Sequence, residues 1–380
     1  MSKNRLIVVS ALLVMFLWVG WLGFSNTPTP DSVSVSDALS GNTEGFARAL
    51  IPRPFKFPED HGPHSDYKTE WWYFTGNLFS QHGRRFGYQL TLFRVGLVAE
   101  QQEIESQWAA SEIYMGHFAL TDAASKRFYS FERFSRKALD LAGARAEPFA
   151  VWLENWRVAS KGKAFFPLHL YAEQEGVSVS LTLNSHKPIV LQGNQGLSQK
   201  SREEGNASYY YSLTRMPSIG AITINGESHE VSGNSWLDRE WSTSALGKDQ
   251  VGWDWFSLQF DDGRELMFYR LRKKDGSADA YSSGSLVSVD GEVTPLKMDD
   301  VELTVLKQWQ SEETGVRYPI QWEVILPGHD LNLMVTPVQE NQEMNLSVRY
   351  WEGAIDVTGQ ASGQPIRGRG YLELAGYGDR

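Results

Sequence analysis

The sequence predicts an all-β body made of two tandem copies of one β-rich unit, preceded by an N-terminal transmembrane helix. Short runs of alternating apolar and polar residues, separated by Gly, Pro, Asn and Asp, fill the chain from Arg53 onward; such runs are typical of sandwiches and barrels. Several sequence patterns occur once in each half in the same order, and residues 6–24 carry no charge. Long helical patterns are scarce: residues 100–110 and 137–145 each fit a short helix or a loop.

The N-terminal segment, residues 1–25, is expected to be a membrane anchor. Its apolar run at 6–24 is long enough to cross a bilayer as a helix, and Trp18 and Trp21 suit the interface. A cleaved signal peptide has a shorter apolar region that ends in small residues, so we favour an uncut anchor and keep a cleaved signal as the alternative. Residues 26–52 then form a flexible linker. The body would be anchored to the inner membrane and lie in the periplasm of a Gram-negative host, or be secreted if the segment is cleaved.

A tryptophan-rich β-hairpin at residues 61–94 opens the first unit. Its first strand is dense in aromatic residues at 71–74, and a turn at 81–83 leads into the returning strand. Apolar side chains alternate there with polar or small ones, with the period of two of an antiparallel strand. One face of the hairpin is therefore predicted to pack in a core and the other to form a wall. The apolar face of the returning strand carries Phe86, Tyr88, Leu90 and Leu92.

The same hairpin plan recurs at residues 252–272, with paired tryptophans, a glycine turn and a basic end. The turn glycines, Gly83 and Gly263, are 180 residues apart. Chance explains one such match but not four in the same order, and repeats of this length are domains. We therefore expect a first domain at 53–245 and a second at 246–380. The other matches pair 166–176 with 318–328, 220–226 with 353–359, and 233–238 with 368–373.

Composition excludes several classes of function. The formal net charge of −10 repels the phosphate backbone of nucleic acids, and no cluster of Lys or Arg offsets it. The chain has no cysteine, so disulfides, thiolate catalysis and thiolate metal sites are impossible. Neither a phosphate-binding glycine loop nor a Gly-x-Ser-x-Gly elbow occurs. We expect no nucleic-acid partner and no cofactor.

Five motifs occur in order along the body: DHGPH at 60–64, EWWYFTGNL at 70–78, GYQL at 87–90, WLDREW at 236–241 and GWDW at 252–255. Together they resemble the lipocalin-like family of carotenoid 1,2-hydratases and AttH-type proteins, and the AttH-type members are the more similar. The resemblance implies two tandem lipocalin-like antiparallel β-barrels packed together. For function it implies either a hydratase or an AttH-type protein that accompanies an ABC transporter. Arg239 stands where the family pattern Asp-His-Glu has its histidine.

Three acidic residues are candidates for catalysis because each lies beside tryptophan: Asp238, Asp254 and Glu70. Adding water to an isolated C=C bond requires an acid that protonates one carbon, aromatic faces that stabilise the cation, and a held water. A carboxyl group in an apolar pocket has a raised pKa and can serve as that acid. Alternation places Asp254 on the strand face opposite its two neighbouring tryptophans, toward a lumen or toward solvent.

A structural role for these acids is the favoured alternative. In this alternative a buried ion network closes the barrel ends and pairs with Arg94 or Arg270. Its members would be Glu70, Asp238, Arg239 and Glu240. The second copy carries another acid, Glu373, at the position that Asp238 has in the first. A group that closes a barrel is expected in both copies, whereas a catalytic group need not be duplicated.

The aromatic and histidine side chains of the body are candidate ligand contacts. If these side chains pack in the core, they fill the barrels. If they line a lumen, they enclose an apolar cavity. Because so many are tryptophans, we expect at least one barrel to be filled and the cavity to lie near the interface between the copies. His61 and His64 also suggest a metal site, but no third histidine is near, so we favour hydrogen-bonded capping of the barrel mouth and predict no metal. The candidate ligand-binding residues are His61, His64, Trp72, Tyr88, His117, Trp236, Arg239, Trp241, Trp253 and Trp255.

Three functions from different classes are consistent with the sequence. The first is a membrane-tethered protein that binds an apolar lipid or isoprenoid and serves an ABC-type transporter; its partners would be the inner membrane, through residues 6–24, and the transporter permease. The second is a lyase that adds water to an apolar C=C bond, with Asp238 or Asp254 as the acid. As an enzyme, this chain would be a hydro-lyase of the carotenoid 1,2-hydratase type. The third is a structural envelope protein.

Overall fold

The computed structural model describes residues 41–99, 111–244 and 246–378. The predicted anchor at 1–25, the linker up to residue 40 and the stretch 100–110 lie outside the described residues. Within the described residues, no helix has the length and apolarity that a membrane span requires.

Strands account for nearly all regular structure in the described ranges, with three short 3-10 helices at Glu59–His61, Met298–Asp300 and Pro327–His329. The all-β prediction is therefore confirmed. Residues 137–141 form turns, with Leu139 and Asp140 at positive φ, so the stretch predicted as helix or loop is a loop that leads into a strand. The strands are β1 Thr69–Ser80, β2 Arg85–Gly96, β3 Glu112–Asp122, β4 Arg127–Arg136, β5 Ala142–Arg145, β6 Ala150–Leu153, β7 Trp156–Ser160, β8 Leu168–Gln174, β9 Val177–Leu183, β10 Val190–Leu191, β11 Leu197–Gln199, β12 Ala207–Ile224, β13 Glu227–Ser242, β14 Gln250–Phe260, β15 Glu265–Lys273, β16 Ser283–Val287, β17 Val293–Lys297, β18 Glu302–Gln310, β19 Arg317–Leu326, β20 Leu331–Pro337, β21 Glu343–Asn345, β22 Arg349–Ala361 and β23 Gln364–Ala375.

The strands form two antiparallel sheets with the same internal order. The first sheet runs β4-β3-β2-β1-β13-β12-β9-β8-β7-β6-β5, and the second runs β17-β16-β15-β14-β23-β22-β20-β19-β18. Each strand of the second path thus has a counterpart at the same position in the first, as the internal sequence matches predicted. The break between the sheets falls between Ser242 and Gln250.

The predicted hairpins are β1–β2 and β14–β15, at the centre of their sheets. Gly83 and Gly263 lie in their turns with φ of +78° and +89°, a left-handed conformation that glycine adopts without a Cβ clash. In β1 the side chains of Trp72 and Phe74 enter the core of the first sheet, whereas Tyr73 packs on the opposite face. The returning strand β2 places its whole predicted apolar face in the same core.

Each sheet curls around a core of its own. In the first, β6 packs across β2, β3 and β4, and Trp72, Phe118 and Trp156 fill the interior. In the second, Trp322 and Trp351 have the same role. The sheets are thus curled and close to barrels, and the hydrogen-bonded paths end at β4 and β5 in one and at β17 and β18 in the other. Large aromatic side chains thus occupy both interiors.

The two sheets pack against each other through a separate aromatic cluster that includes Tyr73, Tyr210, Trp236, Trp255 and Tyr371. Two hydrogen bonds between the sheets show that the packed faces contact each other reciprocally.

The Asn77 amide donates to the carbonyl of Gly370 at 3.0 Å, and the Gln259 amide donates to that of Ser235 at 3.1 Å. Asn77 and Gln259 occupy the same position in β1 and β14, as Ser235 and Gly370 do in β13 and β23. The contacts are therefore reciprocal, as in the interface of a two-fold dimer.

A buried carboxylate clamps the sheets at one edge. Glu265 of β15 is fully buried and pairs with two cations of the first sheet, Lys187 at 2.6 Å and Arg215. The Thr214 hydroxyl also donates to it at 3.4 Å. Both cations lose their counter-ion if the carboxylate is removed.

We expect Glu265→Ala to lower the free energy of unfolding of the full-length protein by about 3–5 kcal/mol, because it leaves two partly buried cations unpaired. Urea unfolding followed by tryptophan fluorescence measures the change. The control is Glu340→Ala, which breaks an ion pair with Lys307 whose side chains are 49% and 51% exposed; it is expected to cost less than about 1 kcal/mol. Equal losses in the two variants would show that Glu265 is not a clamp.

Candidate functional site

Strand register places one row of polar side chains across the first sheet. Asp238 of β13 lies opposite Tyr73 of β1, which lies opposite Thr91 of β2. Thr91 lies opposite His117 of β3, and His117 opposite Glu132 of β4. Directly opposed residues of antiparallel strands share a face of the sheet. All five side chains are therefore on the face that meets the second sheet.

An equivalent row crosses the second sheet. Glu352 of β22 lies opposite Glu373 of β23, and Glu373 opposite Trp255 of β14. Trp255 lies opposite Tyr269 of β15, which lies opposite Ser283 of β16. By strand position Glu373 corresponds to Asp238, and Trp255 to Tyr73. The reciprocal packing brings the two rows face to face.

A cavity of about 130 Å³ lies between the rows, and both sheets line it. Its buried end holds carboxyl, phenol and imidazole groups, whereas Trp71, Phe93, Met115, Ser244 and Leu246 at its rim are partly exposed. The cavity is thus apolar at its mouth and carries titratable groups at depth. The lining residues are Trp71, Tyr73, Thr91, Phe93, Met115, His117, Lys200, Tyr210, Asp238, Glu240, Ser242, Ser244, Leu246, Trp253, Trp255, Tyr269, Leu271, Val348, Tyr350 and Glu373.

Asp238 is held in the cavity wall by neutral donors. The Trp236 indole donates to Oδ1 at 2.7 Å, the Ser212 hydroxyl donates to Oδ1 at 2.5 Å, and the Tyr210 hydroxyl donates to Oδ2 at 2.5 Å. Among the described residues no cation pairs with this carboxyl. Burial raises the pKa of Asp238 to about 7, the three hydrogen bonds oppose that rise, and the charge of Glu240 adds to it. Asp238 therefore keeps a proton close to neutral pH.

Glu373 provides a second carboxyl from the other sheet. The Trp253 indole donates to it at 3.0 Å, and burial raises its pKa to about 8, with contributions from Asp238 and Glu240. A third carboxyl, Glu352, accepts from the Tyr73 hydroxyl at 2.7 Å. Burial and the neighbouring Glu373 hold the pKa of Glu352 well above its usual range. Three buried acids are thus collected at the interface without a cation beside any of them in the described part of the chain.

Lys200 and Glu240 form a charge pair in the cavity wall, and their side chains are 3.0 Å apart. The Lys200 ammonium also lies 4.2 Å from the ring centroid of Tyr269. Burial alone would lower the pKa of Lys200, but Glu240 raises it. Glu240 is therefore neutralised by its own partner, and Asp238 and Glu373 remain the acids free to protonate a ligand.

The predicted ion network exists, but Asp238 and Glu240 are not part of it. Glu70 and Arg239 pair with each other, and Glu70 also pairs with Arg94, all with fully buried side chains. Burial alone would raise the pKa of Glu70, yet the two guanidinium groups hold it well below its usual range. Arg239 also lies over the Trp72 ring at 4.0 Å. The residues predicted as one group thus divide into a charged network outside the cavity and a neutral acid inside it.

Asp254 points away from the cavity, on the strand face opposite its two tryptophans, as alternation predicts. It pairs with Arg270 at 2.7 Å and Arg272 at 2.5 Å, and accepts from the Tyr377 hydroxyl at 2.7 Å. This buried ion cluster belongs to the second sheet, so Asp254 does not face the cavity.

Two of the three candidate histidines, His61 and His64, lie in an aromatic cap outside the cavity. His61 Nδ1 is 2.7 Å from the Tyr211 hydroxyl, and its ring stacks on Phe165. His64 stacks on Trp241. Within the described ranges no group of three ligating side chains fits a metal ion.

Four residues predicted for the site line the cavity, namely Asp238, His117, Trp253 and Trp255, and Trp236 positions Asp238. The others lie in the two ion networks, the aromatic cap or the first core: Glu70, Asp254, His61, His64, Trp72, Tyr88, Arg239 and Trp241. Sequence reasoning did not identify Tyr73, Tyr210, Tyr350, Lys200 or Glu352 as site residues, and it assigned Glu373 a structural role. The internal match of Asp238 with Glu373 was the signal that could have placed both acids in one site.

Comparison with known proteins defines the family. A family model described as AttH-like matches residues 48–377, and this chain belongs to that family. The structure of a candidate AttH from Nitrosomonas europaea is similar, with 33% identity, coverage of 87% of this chain and 100% of that one, and a TM-score of 0.77. The predicted resemblance is thereby confirmed.

Two more distant structures share the fold. Kievitone hydratase from Nectria haematococca is 15% identical, with coverage of 87% of this chain and 96% of its own and a TM-score of 0.66. CghA is 13% identical, with coverage of 87% and 96% and a TM-score of 0.50. Among curated proteins, none matches this chain.

The raised pKa of Asp238 predicts a pH-dependent stability. Because the folded state holds the proton up to about pH 7, while the unfolded carboxyl ionises near its model value of 3.8, the stabilisation is complete below that value and is lost as pH rises through 7. Each pH unit of such a difference corresponds to about 1.4 kcal/mol. Asn cannot ionise, so Asp238→Asn should gain stability relative to wild type by a few kcal/mol between pH 4 and pH 8, measured by urea unfolding.

Asp122→Asn is the contrasting control. Burial opposes ionisation of Asp122, but hydrogen bonds from Arg84 and Ser125 lower its pKa overall. Its stabilisation is therefore lost as pH falls, and this variant should lose most relative to wild type near neutral pH. A flat difference between pH 4 and pH 8 for Asp238→Asn would mean that Asp238 is ionised in the folded protein.

Proposed function

We propose that this AttH-like chain binds a largely apolar small molecule between its two sheets, with one end of the ligand against Asp238 and Glu373. The observation that carries the proposal is an aromatic cavity that ends in two buried carboxyls, neither of which pairs with a cation among the described residues. An apolar cavity of roughly 150 Å³ holds one benzene molecule. At about 130 Å³, this one takes a ring or a branched chain end. The remainder of a longer ligand would pass the rim residues Trp71 and Phe93.

We further propose acid chemistry on that buried end, as in a hydratase. The raised pKa of Asp238 and of Glu373 favours this second candidate, and kievitone hydratase, whose fold is shared, carries such a reaction in its name. In the proposed step the O–H bond of one carboxyl breaks, and the π electrons of a C=C bond form the new C–H bond. The cation at the other carbon takes a lone pair from water, and the proton of the resulting oxonium passes to an ionised carboxyl of the pair. The rings of Trp253, Trp255 and Tyr269 stabilise the cation.

The cellular setting stays a prediction. The inner-membrane anchor, the periplasmic location and the partnership with an ABC transporter permease depend on the N-terminal residues and on the family resemblance. A carrier function requires the cavity but not the acids, whereas a lyase requires both. Neighbouring genes for a transporter would favour the carrier, and genes for polyene synthesis the lyase.

Trp71→Ala tests the binding site. Removing this rim indole is expected to weaken the binding of N-phenyl-1-naphthylamine to the full-length protein about tenfold, because the loss of apolar contact is worth roughly 1–3 kcal/mol. Probe fluorescence gives the affinity. Trp152→Ala is the matched control, since that indole is also half-buried but lies in β6 outside the cavity. Identical affinities for the two variants, or no binding to wild type, would remove the proposed site.

Isotope labelling tests the acid chemistry. Wild type is incubated in H₂¹⁸O with isoprenoids that carry one trisubstituted C=C bond, and mass spectrometry detects labelled alcohol. Asp238→Asn and Glu373→Gln are each expected to lower the rate at least about 100-fold, the usual contribution of a general acid. Glu343→Gln is the control, because Glu343 is a buried carboxyl that accepts from Thr314 and Tyr318 outside the cavity. Hydration that survives both site substitutions would contradict the assignment of Asp238 and Glu373 as the acids. A wild type that binds the probe but does not hydrate the isoprenoids would exclude the lyase on these substrates and favour the carrier function.

A further inference from the structure

His117 forms a hydrogen-bonded bridge between the cavity and the protein surface. Its Nδ1 lies 2.7 Å from the Tyr350 hydroxyl of the second sheet, and its Nε2 lies 3.0 Å from a carboxylate oxygen of Glu132. His117 and Tyr350 line the cavity, and the His117 side chain is 1% exposed. The Glu132 side chain is 16% exposed, and the Ser347 hydroxyl donates to it at 2.5 Å. Both nitrogens of one buried ring are thus used, one toward the cavity and one toward solvent.

We infer that Glu132, His117 and Tyr350 form a relay that carries protons between bulk solvent and the buried acids of the cavity. A neutral imidazole has one nitrogen that donates and one that accepts, so it can take a proton on one side and release one on the other. In each transfer one O–H or N–H bond breaks and another forms. Glu132 takes a proton from solvent and passes it to Nε2, and the proton of Nδ1 passes to the Tyr350 oxygen. The Tyr350 O–H bond breaks as its proton passes to the cavity acid that is ionised, Asp238 or Glu373. The reverse sequence removes a proton.

The proposed function creates the need for such a relay, and this inference rests on it. Asp238 belongs to the wall of the first sheet and Glu373 to that of the second, so a ligand between them meets one acid on each side. If one acid donates a proton and the other accepts one, the pair ends a turnover in the opposite protonation state. An apolar ligand that fills the mouth excludes the water that could restore it. A path through protein side chains restores it while the mouth is closed.

Carboxyl proton exchange provides a readout that does not require the substrate. Infrared spectroscopy after rapid mixing of the full-length protein with D₂O follows the C=O band of the protonated cavity acids; the bands missing in Asp238→Asn and Glu373→Gln identify them. The mouth is closed beforehand with N-phenyl-1-naphthylamine. His117→Gln is expected to slow the exchange at least tenfold at a probe concentration that saturates the variant, as its probe fluorescence shows. Glu132→Gln, at a partly exposed position, is expected to slow it as well and serves if the buried substitution prevents folding.

Thr121→Val is the matched control. The Thr121 hydroxyl donates to Gln342 of the second half at 2.7 Å, so this variant also loses a hydrogen bond between the sheets, outside the cavity. Exchange at the wild-type rate in this variant and slow exchange in the other two supports the relay. Wild-type exchange in both relay variants overturns it, and equal slowing in Thr121→Val shows general loosening of the interface and overturns it too. A wild type that does not bind the probe refutes the proposed function instead, because the bands remain measurable without it.

Discussion

Desolvation of carboxyl groups between two apolar sheet faces is the constraint on which the site depends. Asp238 and Glu373 have hydrogen bonds from indole and hydroxyl groups but no cation beside them in the described structure. In such surroundings the neutral acid is the stable form, since the charged form lacks both water and a counter-ion. The cavity therefore combines an aromatic lining with carboxyl groups that favour their protonated form.

Duplication explains why this place lies between the sheets. Each unit buries one face of its strands in its own core, so the second face of the central hairpin is left for another partner. Reciprocal packing of two related units covers both faces at once and sets equivalent rows opposite each other. The copies have since diverged within the rows: Ser212 stands beside Asp238 where Glu352 stands beside Glu373. A symmetric interface thus encloses an asymmetric cavity, whose two walls present different polar groups.

Sequence reasoning predicted the strands and the internal repeat, but it did not predict the contacts between the sheets. The alternation in β2 correctly separated a core face from a wall, and the spacing of Gly83 and Gly263 correctly indicated the repeat. It named Arg94 and Arg270 as cations but could not assign them to particular acids: Arg94 pairs with Glu70, and Arg270 pairs with Asp254. Asp238 pairs with neither, because its side chain lies on the face that meets the second sheet. Flanking tryptophans mark a strand that is buried on both faces. They do not mark the face on which an acid lies.

The paired acids and the unpaired acids lie in different parts of the fold, and this limits what a shared fold implies about function. Glu70 and Asp254 each pair with two guanidinium groups outside the cavity. Inside it Lys200 pairs with Glu240, so neither Asp238 nor Glu373 has a cation partner in the described structure. An arginine placed beside Asp238 or Glu373 would hold that carboxyl ionised, so it could not donate a proton even in an unchanged fold. Fold similarity to a hydratase is therefore weaker support for chemistry than the lack of a counter-ion beside Asp238 in the described structure. Function in this architecture depends on which residues of the facing rows remain unpaired.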